Sequence, residues 1–142
     1  MFLGEFMHTV DDKGRLTMPA KFRTALEQGV VVTRGLDGCL FIFPLAYFST
    51  LAQKAGELPI THTDGRDFTR MLFSGASDLE LDKQGRVLLP QVLREFAHIN
   101  GEVAVVGVNT RIEVWGVEAW KARREKFEGG ALDAEHWAQL GI

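Results

Sequence analysis

A thirteen-residue segment, Asp11-Asp12-Lys13-Gly14-Arg15-Leu16-Thr17-Met18-Pro19-Ala20-Lys21-Phe22-Arg23, returns 71 positions later as Asp82-Lys83-Gln84-Gly85-Arg86-Val87-Leu88-Leu89-Pro90-Gln91-Val92-Leu93-Arg94. Five of the thirteen pairs are identical, where composition alone would give about one. Leu16/Val87, Met18/Leu89 and Phe22/Leu93 are apolar in both copies, and Phe2-Leu3-Gly4 matches Phe73-Ser74-Gly75 at the same spacing. Downstream the spacing becomes 72, which pairs Gly29 with Gly101, Val31 with Val103, Ile42 with Val114 and Phe43 with Trp115. One residue inserted near Ala97–Gly101, at a helix end, accounts for the change. The 142-residue chain therefore reads as two copies of one unit, 1–71 and 72–142. A unit of this size builds a marginal core by itself. The copies are expected to pack on each other about a pseudo-twofold axis, their sheets closing into one barrel-like core.

Each copy reads as mainly β, within an α+β class. His8–Val10 and Leu79–Leu81 are expected as short strands, with Leu16–Met18 and Val87–Leu89 returning from a tight hairpin. The turn between them is Asp-x-x-Gly-Arg: aspartate accepts bonds from following amides, and glycine supplies a positive φ. Pro19 and Pro90 open helices at the first position, where a missing N–H costs little. Their core faces are Phe22, Ala25 and Leu26, and Leu93, Phe96 and Ala97, at helical spacing. Large and small residues trade places between Ala25/Phe96 and Leu26/Ala97, as a core keeping its volume would do. A β-pair follows in each copy, Val30–Thr33 with Leu40–Phe43 and Val103–Val108 with Ile112–Trp115, turning at Asp37-Gly38 and Asn109-Thr110. Peripheral helices are expected at Leu45–Ala55 and Val117–Phe127, in the connector at Asp67–Leu72, and in the tail at Asp133–Leu140. Tyr47, Phe48, Trp120 and Phe127 on these helices are candidate subunit contacts or caps of the core.

The lone cysteine, Cys39, lies in an apolar run and excludes an intrachain disulfide framework. No basic n-region precedes an apolar stretch, and the longest apolar run, from Cys39 to Phe48, falls short of the ~20 residues a spanning helix needs. A cytoplasmic protein is expected. His8, His62, His98 and His136 are scattered without metal-ligand spacing. Phosphate-loop, dinucleotide and nucleophile-elbow motifs are absent. No enzyme, metal, cofactor or small-molecule substrate is expected.

The net charge of −3 speaks at first against a nucleic-acid partner. The repeated windows are the exception. Lys13, Arg15, Lys21 and Arg23 outweigh Asp11 and Asp12, and Lys83, Arg86 and Arg94 outweigh Asp82, so each window carries +2. Three readings of the turn stay open. Asp11–Arg15 and Asp82–Arg86 can simply pin the hairpin. The arginines can face outward to phosphate or to guanine, which the guanidinium fork matches, with Lys21, Arg23, Lys83 and Arg94 as further phosphate contacts and Asp11 and Asp82 as orienting groups. Or they can pair with acidic groups of a neighbouring subunit.

The residues of the repeat also carry a resemblance. Met1-Phe2-x-Gly4, Asp11-x-Lys13-Gly14-Arg15-Leu16, Pro19, Arg23, Asp82-x-x-Gly85-Arg86 and Pro90 resemble the MraZ family, a bacterial branch of the AbrB-like transcription factors with two tandem SpoVT-AbrB domains. The likeness covers residues 1 to about 127. It implies a double swapped-hairpin fold, ring-shaped homo-oligomers, and binding of double-stranded DNA at tandem repeats upstream of the protein's own gene. That gene would head a division and cell-wall cluster, and the regulator, often a repressor, would be nucleoid-associated. It implies Lys13, Gly14, Arg15, Gly85 and Arg86 as the DNA-contacting set. The copies differ where Lys13 meets Gln84 and Asp12 meets Lys83. The second turn is thus expected to contact DNA less well or to serve a subunit interface. An oligomeric ring that binds a partner without reading DNA is the alternative.

Overall fold

A computed structural model describes residues 1–130 and 132–141. The fold is mixed α/β and mostly sheet. Each copy contributes four strands: β1 (Phe2–Thr9), β2 (Arg15–Thr17), β3 (Val30–Arg34) and β4 (Leu40–Pro44), then β5 (Ser77–Leu79), β6 (Arg86–Leu88), β7 (Glu102–Asn109) and β8 (Arg111–Gly116). Helices α1 (Ala20–Arg23) and α2 (Leu45–Gly56) belong to the first copy, α3 (Thr63–Ser74) spans the boundary between the copies, and α4 (Gln91–Phe96), α5 (Val117–Glu128) and α6 (Ala134–Gln139) belong to the second.

Pairing crosses between the copies. The large antiparallel sheet runs β1-β7-β8-β4-β3-β5, and β2 pairs with β6 in a separate ladder. The expected local hairpins are therefore not formed: β2 meets the end of β1 only in the single bridge Val10↔Leu16, and its ladder partner is the other copy's β6. Likewise β1 lies on β7 and β5 on β3. The registers respect the repeat. Leu40 faces Val114 while Ile42 faces Ile112, and Arg15 faces Leu88 while Thr17 faces Arg86, so exchanging the copies returns both ladders to themselves.

Among the described residues no ladder joins the end strands β1 and β5, so no closed barrel is detected. Two expectations need correction. Val30 faces Pro44 as Val103 faces Gly116, which pairs Val30, not Val31, with Val103; the copies differ by a further residue in β3 and β7, returned in the shorter β7–β8 turn. Ala25 and Phe96 are exposed, so they do not trade volume in the core. Leu26 and Ala97 do lie in it, and Ile99, just past α4, enters the same cluster beside the smaller Ala97.

The rest follows local chemistry. Pro19 and Pro90 stand one residue before their helices with ψ of 134° and 143°, extended as the end of a strand requires. Asp37 and Gly38 at the β3–β4 turn, and Asn109 at β7–β8, take positive φ, which these residue types tolerate best. The connector helix is longer than expected at both ends. One apolar cluster draws on both copies, with Leu16, Phe22, Val32, Leu40, Val87, Leu93, Val105 and Ile112 buried together. Phe22 is gripped edge-on by Phe2 and Phe6, each with ring centroids 5.3 Å away. A smaller cluster behind the sheet holds Cys39, Trp115 and Trp120. Burial pushes the Cys39 thiol up, away from the thiolate that reactivity needs. Trp120 thus belongs to the core, whereas Tyr47 and Phe127 remain partly exposed.

Candidate nucleic-acid interface

The two Asp-x-x-Gly-Arg turns are superimposable in their bonding. Asp11 Oδ1 accepts the backbone amides of Lys13 (3.0 Å) and Arg15 (2.8 Å), and its Oδ2 accepts Arg15 Nε at 2.8 Å. Asp82 Oδ1 accepts the amides of Gln84 and Arg86, both at 2.9 Å, and its Oδ2 accepts Arg86 Nε at 2.7 Å. The backbone closes each loop: Gly14 N–H donates to Asp11 O, and Gly85 N–H to Asp82 O. Both aspartates are held below the usual carboxylate range, first by the amide of the motif arginine, against some desolvation, and then by that arginine's side chain. Each arginine is gripped through Nε, so among the described residues both of its terminal nitrogens stay without a hydrogen-bond partner. The aspartates fix where the guanidinium forks point and leave the forks open.

Gly14 and Gly85 take φ of +86° and +76°, and the space above them is filled from the other copy. A Cβ at Gly14 would stand 2.8 Å from the Arg94 guanidinium, and one at Gly85 would collide with that of Arg23. Arg94 Nε donates to Leu89 O and Arg23 Nε to Met18 O, which pins both guanidiniums in place. The amide of Leu89 donates to Gly14 O, and that of Met18 to Gly85 O. Each turn is thus braced by the helix and strand end of the opposite copy. Arg23 and Arg94, expected as phosphate contacts, stand beside the turns with this bracing task in addition. Lys21 lies over the Phe6 ring, 5.4 Å from its centroid, against β1. Lys13 and Lys83 are exposed on the turns themselves.

Between the turns runs the β2–β6 ladder. Leu16 and Val87 point inward and are fully buried, so strand alternation sends Arg15, Thr17, Arg86 and Leu88 to the other face. Arg15 and Arg86 are offset by one strand spacing and two residues, which puts their backbones roughly 8 Å apart. Lys13, Arg15, Arg23, Lys83, Arg86 and Arg94 gather here against Asp11, Asp12 and Asp82, a local +3 on a chain of net −3. Thr17 and Leu88 are the outward residues that sequence reading missed. Leu88 reads as one more apolar residue of Val87–Leu89, yet its repeat partner Thr17 is polar, and that mismatch marks an exposed position. Among the described residues no group of three or more His, Cys, Asp and Glu could hold a metal ion. Among those same residues no helix is long and apolar enough to cross a membrane.

The family model described as "MraZ protein, putative antitoxin-like" matches the chain twice, over residues 1–71 and 72–136. The chain belongs to the MraZ family. Three similar relatives carry the name Transcriptional regulator MraZ. The Roseiflexus castenholzii protein is 51% identical over 141 residues, 99% of both chains. The Moorella thermoacetica protein is 52% identical over 121 residues, 85% of each. The Clostridium acetobutylicum protein is 46% identical over 142 residues, the full length of both. These relatives are named as transcriptional regulators and not as enzymes, which agrees with a site that gathers guanidinium groups.

Proposed function

We propose that this protein is a DNA-binding transcriptional regulator that lays the outer face of the β2–β6 ladder against a duplex. Residues 1–71 and 72–142 act as two SpoVT-AbrB-like units of swapped-hairpin type, related by a pseudo-twofold axis, and each supplies one arginine-tipped turn. Lys13, Arg15 and Arg86, with the backbones of Gly14 and Gly85, contact the DNA. Lys21, Arg23, Lys83 and Arg94 contribute phosphate contacts, and Asp11 and Asp82 orient the turns. The observation that carries this reading is the matched pair of turns, which hold two guanidinium forks open on one face of a basic ladder. A two-stranded ribbon fits the major groove of B-DNA, where the arginine fork pairs with guanine O6 and N7. The relatives' name, Transcriptional regulator MraZ, agrees with it.

The finer reading is a ring-shaped homo-oligomer, cytoplasmic and nucleoid-associated. It binds tandem repeats upstream of its own gene in a division and cell-wall cluster, commonly as a repressor. The test is a gel shift on the DNA directly upstream of the gene. Wild-type protein is expected to retard it, and Arg15→Ala to lose at least about ten-fold in affinity, the cost of one bidentate base or phosphate contact. Arg86→Ala is expected to lose less, because Gln84 replaces Lys13 beside it. Retention of wild-type affinity by both variants, with unchanged elution on size exclusion, overturns the assignment. Elution of either variant as dissociated subunits moves these arginines to a subunit interface.

A further inference from the structure

Leu88 is the one aliphatic side chain among the four that leave the outer face of the ladder. It is 53% exposed and stands directly opposite Arg15 across the strands. Its repeat partner Thr17 stands opposite Arg86. A solvent-facing leucine in a patch of guanidinium and ammonium groups gains nothing from the core, which Leu16 and Val87 already fill from the other side of the same strands. Its side chain also does not pin the turns, which are held by the aspartate carboxylates, by backbone amides and by the motif arginines.

We infer that Leu88 reads the 5-methyl group of thymine. This rests on the DNA-binding reading above and deepens it. If the ladder enters the major groove, its outward central side chains meet base edges while the flanking lysines meet phosphates. An aliphatic group offers neither donor nor acceptor, and the one apolar feature on those edges is the thymine methyl. Thr17 brings a hydroxyl to the matching place in the other half, where it can bond to more than one base. Arg15 with Leu88 therefore reads a guanine next to a thymine, and Arg86 with Thr17 reads a looser neighbour. A subunit whose ladder is symmetric in backbone thus recognises an asymmetric stretch of sequence.

The experiment compares two duplexes of the same upstream DNA, one with thymidine and one with deoxyuridine in its place, which differ only in the 5-methyl groups. Wild-type protein is expected to bind the deoxyuridine duplex about four-fold less tightly for each seated face, the worth of one buried methyl group. Leu88→Ala, a surface change that leaves the core intact, is expected to bind both duplexes alike and near the weaker value, whereas Thr17→Ala keeps the discrimination. Equal binding of both duplexes by the wild type overturns the inference, as does full discrimination by Leu88→Ala. A wild type that binds neither duplex overturns the DNA-binding reading itself, and retention of wild-type affinity for both duplexes by Arg15→Ala and by Arg86→Ala overturns the placement of the ladder on the DNA. Dissociation of Leu88→Ala into smaller species on size exclusion assigns the leucine to a subunit contact and also overturns the inference.

Discussion

Asp11 and Asp82 are the residues that simple electrostatics would remove from a face meant for phosphate. Their bonding gives the reason to keep them: each satisfies two turn amides with one oxygen and holds the motif arginine with the other. Asp12 has no such task and is exposed. The two neighbours are therefore expected to behave oppositely. Asp12→Ala removes a repulsive charge and tightens DNA binding about two-fold. Asp11→Ala removes a charge too, yet weakens binding about ten-fold, because Arg15 loses its fixed direction and must be ordered on binding. Anisotropy titrations at one salt concentration check both, and tighter binding by Asp11→Ala would sink the orienting role. Folding makes both motif carboxyls easier to ionise. Their stabilisation is complete above the ordinary value of 3.8 and is lost only as the pH falls through the lower folded value. The motif itself was legible in the sequence, because repetition singled out Asp, Gly and Arg together. The bracing of Gly14 by Arg94 and of Gly85 by Arg23 was not, because no local pattern says which copy's helix covers which turn.

Strand existence was legible and strand partnership was not. Alternation tells which face of a strand is apolar but not what lies beside it, and the short segments around each turn looked like self-contained hairpins. In the fold each of β1, β2, β5 and β6 takes its ladder partner from the opposite copy. β1 is also longer than its alternation suggested, since Gly4 takes a φ of +100° under the Phe6 ring and blurs the pattern. This exchange has a consequence for the halves of the chain. Cut at residue 71, neither piece keeps a partner for its outer strand, and the shared apolar cluster is divided between them. Residues 1–71 and 72–142 are each expected to lack a cooperative thermal transition as monomers, below the size at which a single core suffices. Mixed together they are expected to regain the transition and the intact protein's circular dichroism. A cooperative monomeric transition in either half would show that the exchanged pairing is dispensable.

At the scale of the molecule, charge is segregated. The ladder and turns carry a local +3, while the whole chain is at −3, so one subunit approaches DNA with a small basic face and an acidic remainder. It can neutralise only a few phosphates, and the salt dependence of a single contact is correspondingly shallow, its slope growing with each phosphate engaged. A single face of this strength is a weak binder. In the ring proposed above, several such faces are joined, and once one is seated the next finds its repeat at high effective concentration, which raises the overall affinity by about 10²–10⁴-fold without any new kind of contact. Two measurements follow from the same cause. A duplex with three repeats is expected to bind at least about 100-fold more tightly than a duplex with one, and the slope of log K against log salt is expected to be steeper for the longer duplex in proportion to the faces engaged. The Arg15→Ala change should then cost more on three repeats than on one, because every seated face loses the contact. Equal affinity for one and three repeats, or one salt slope for both, would mean that each subunit acts alone and that assembly has no part in recognition.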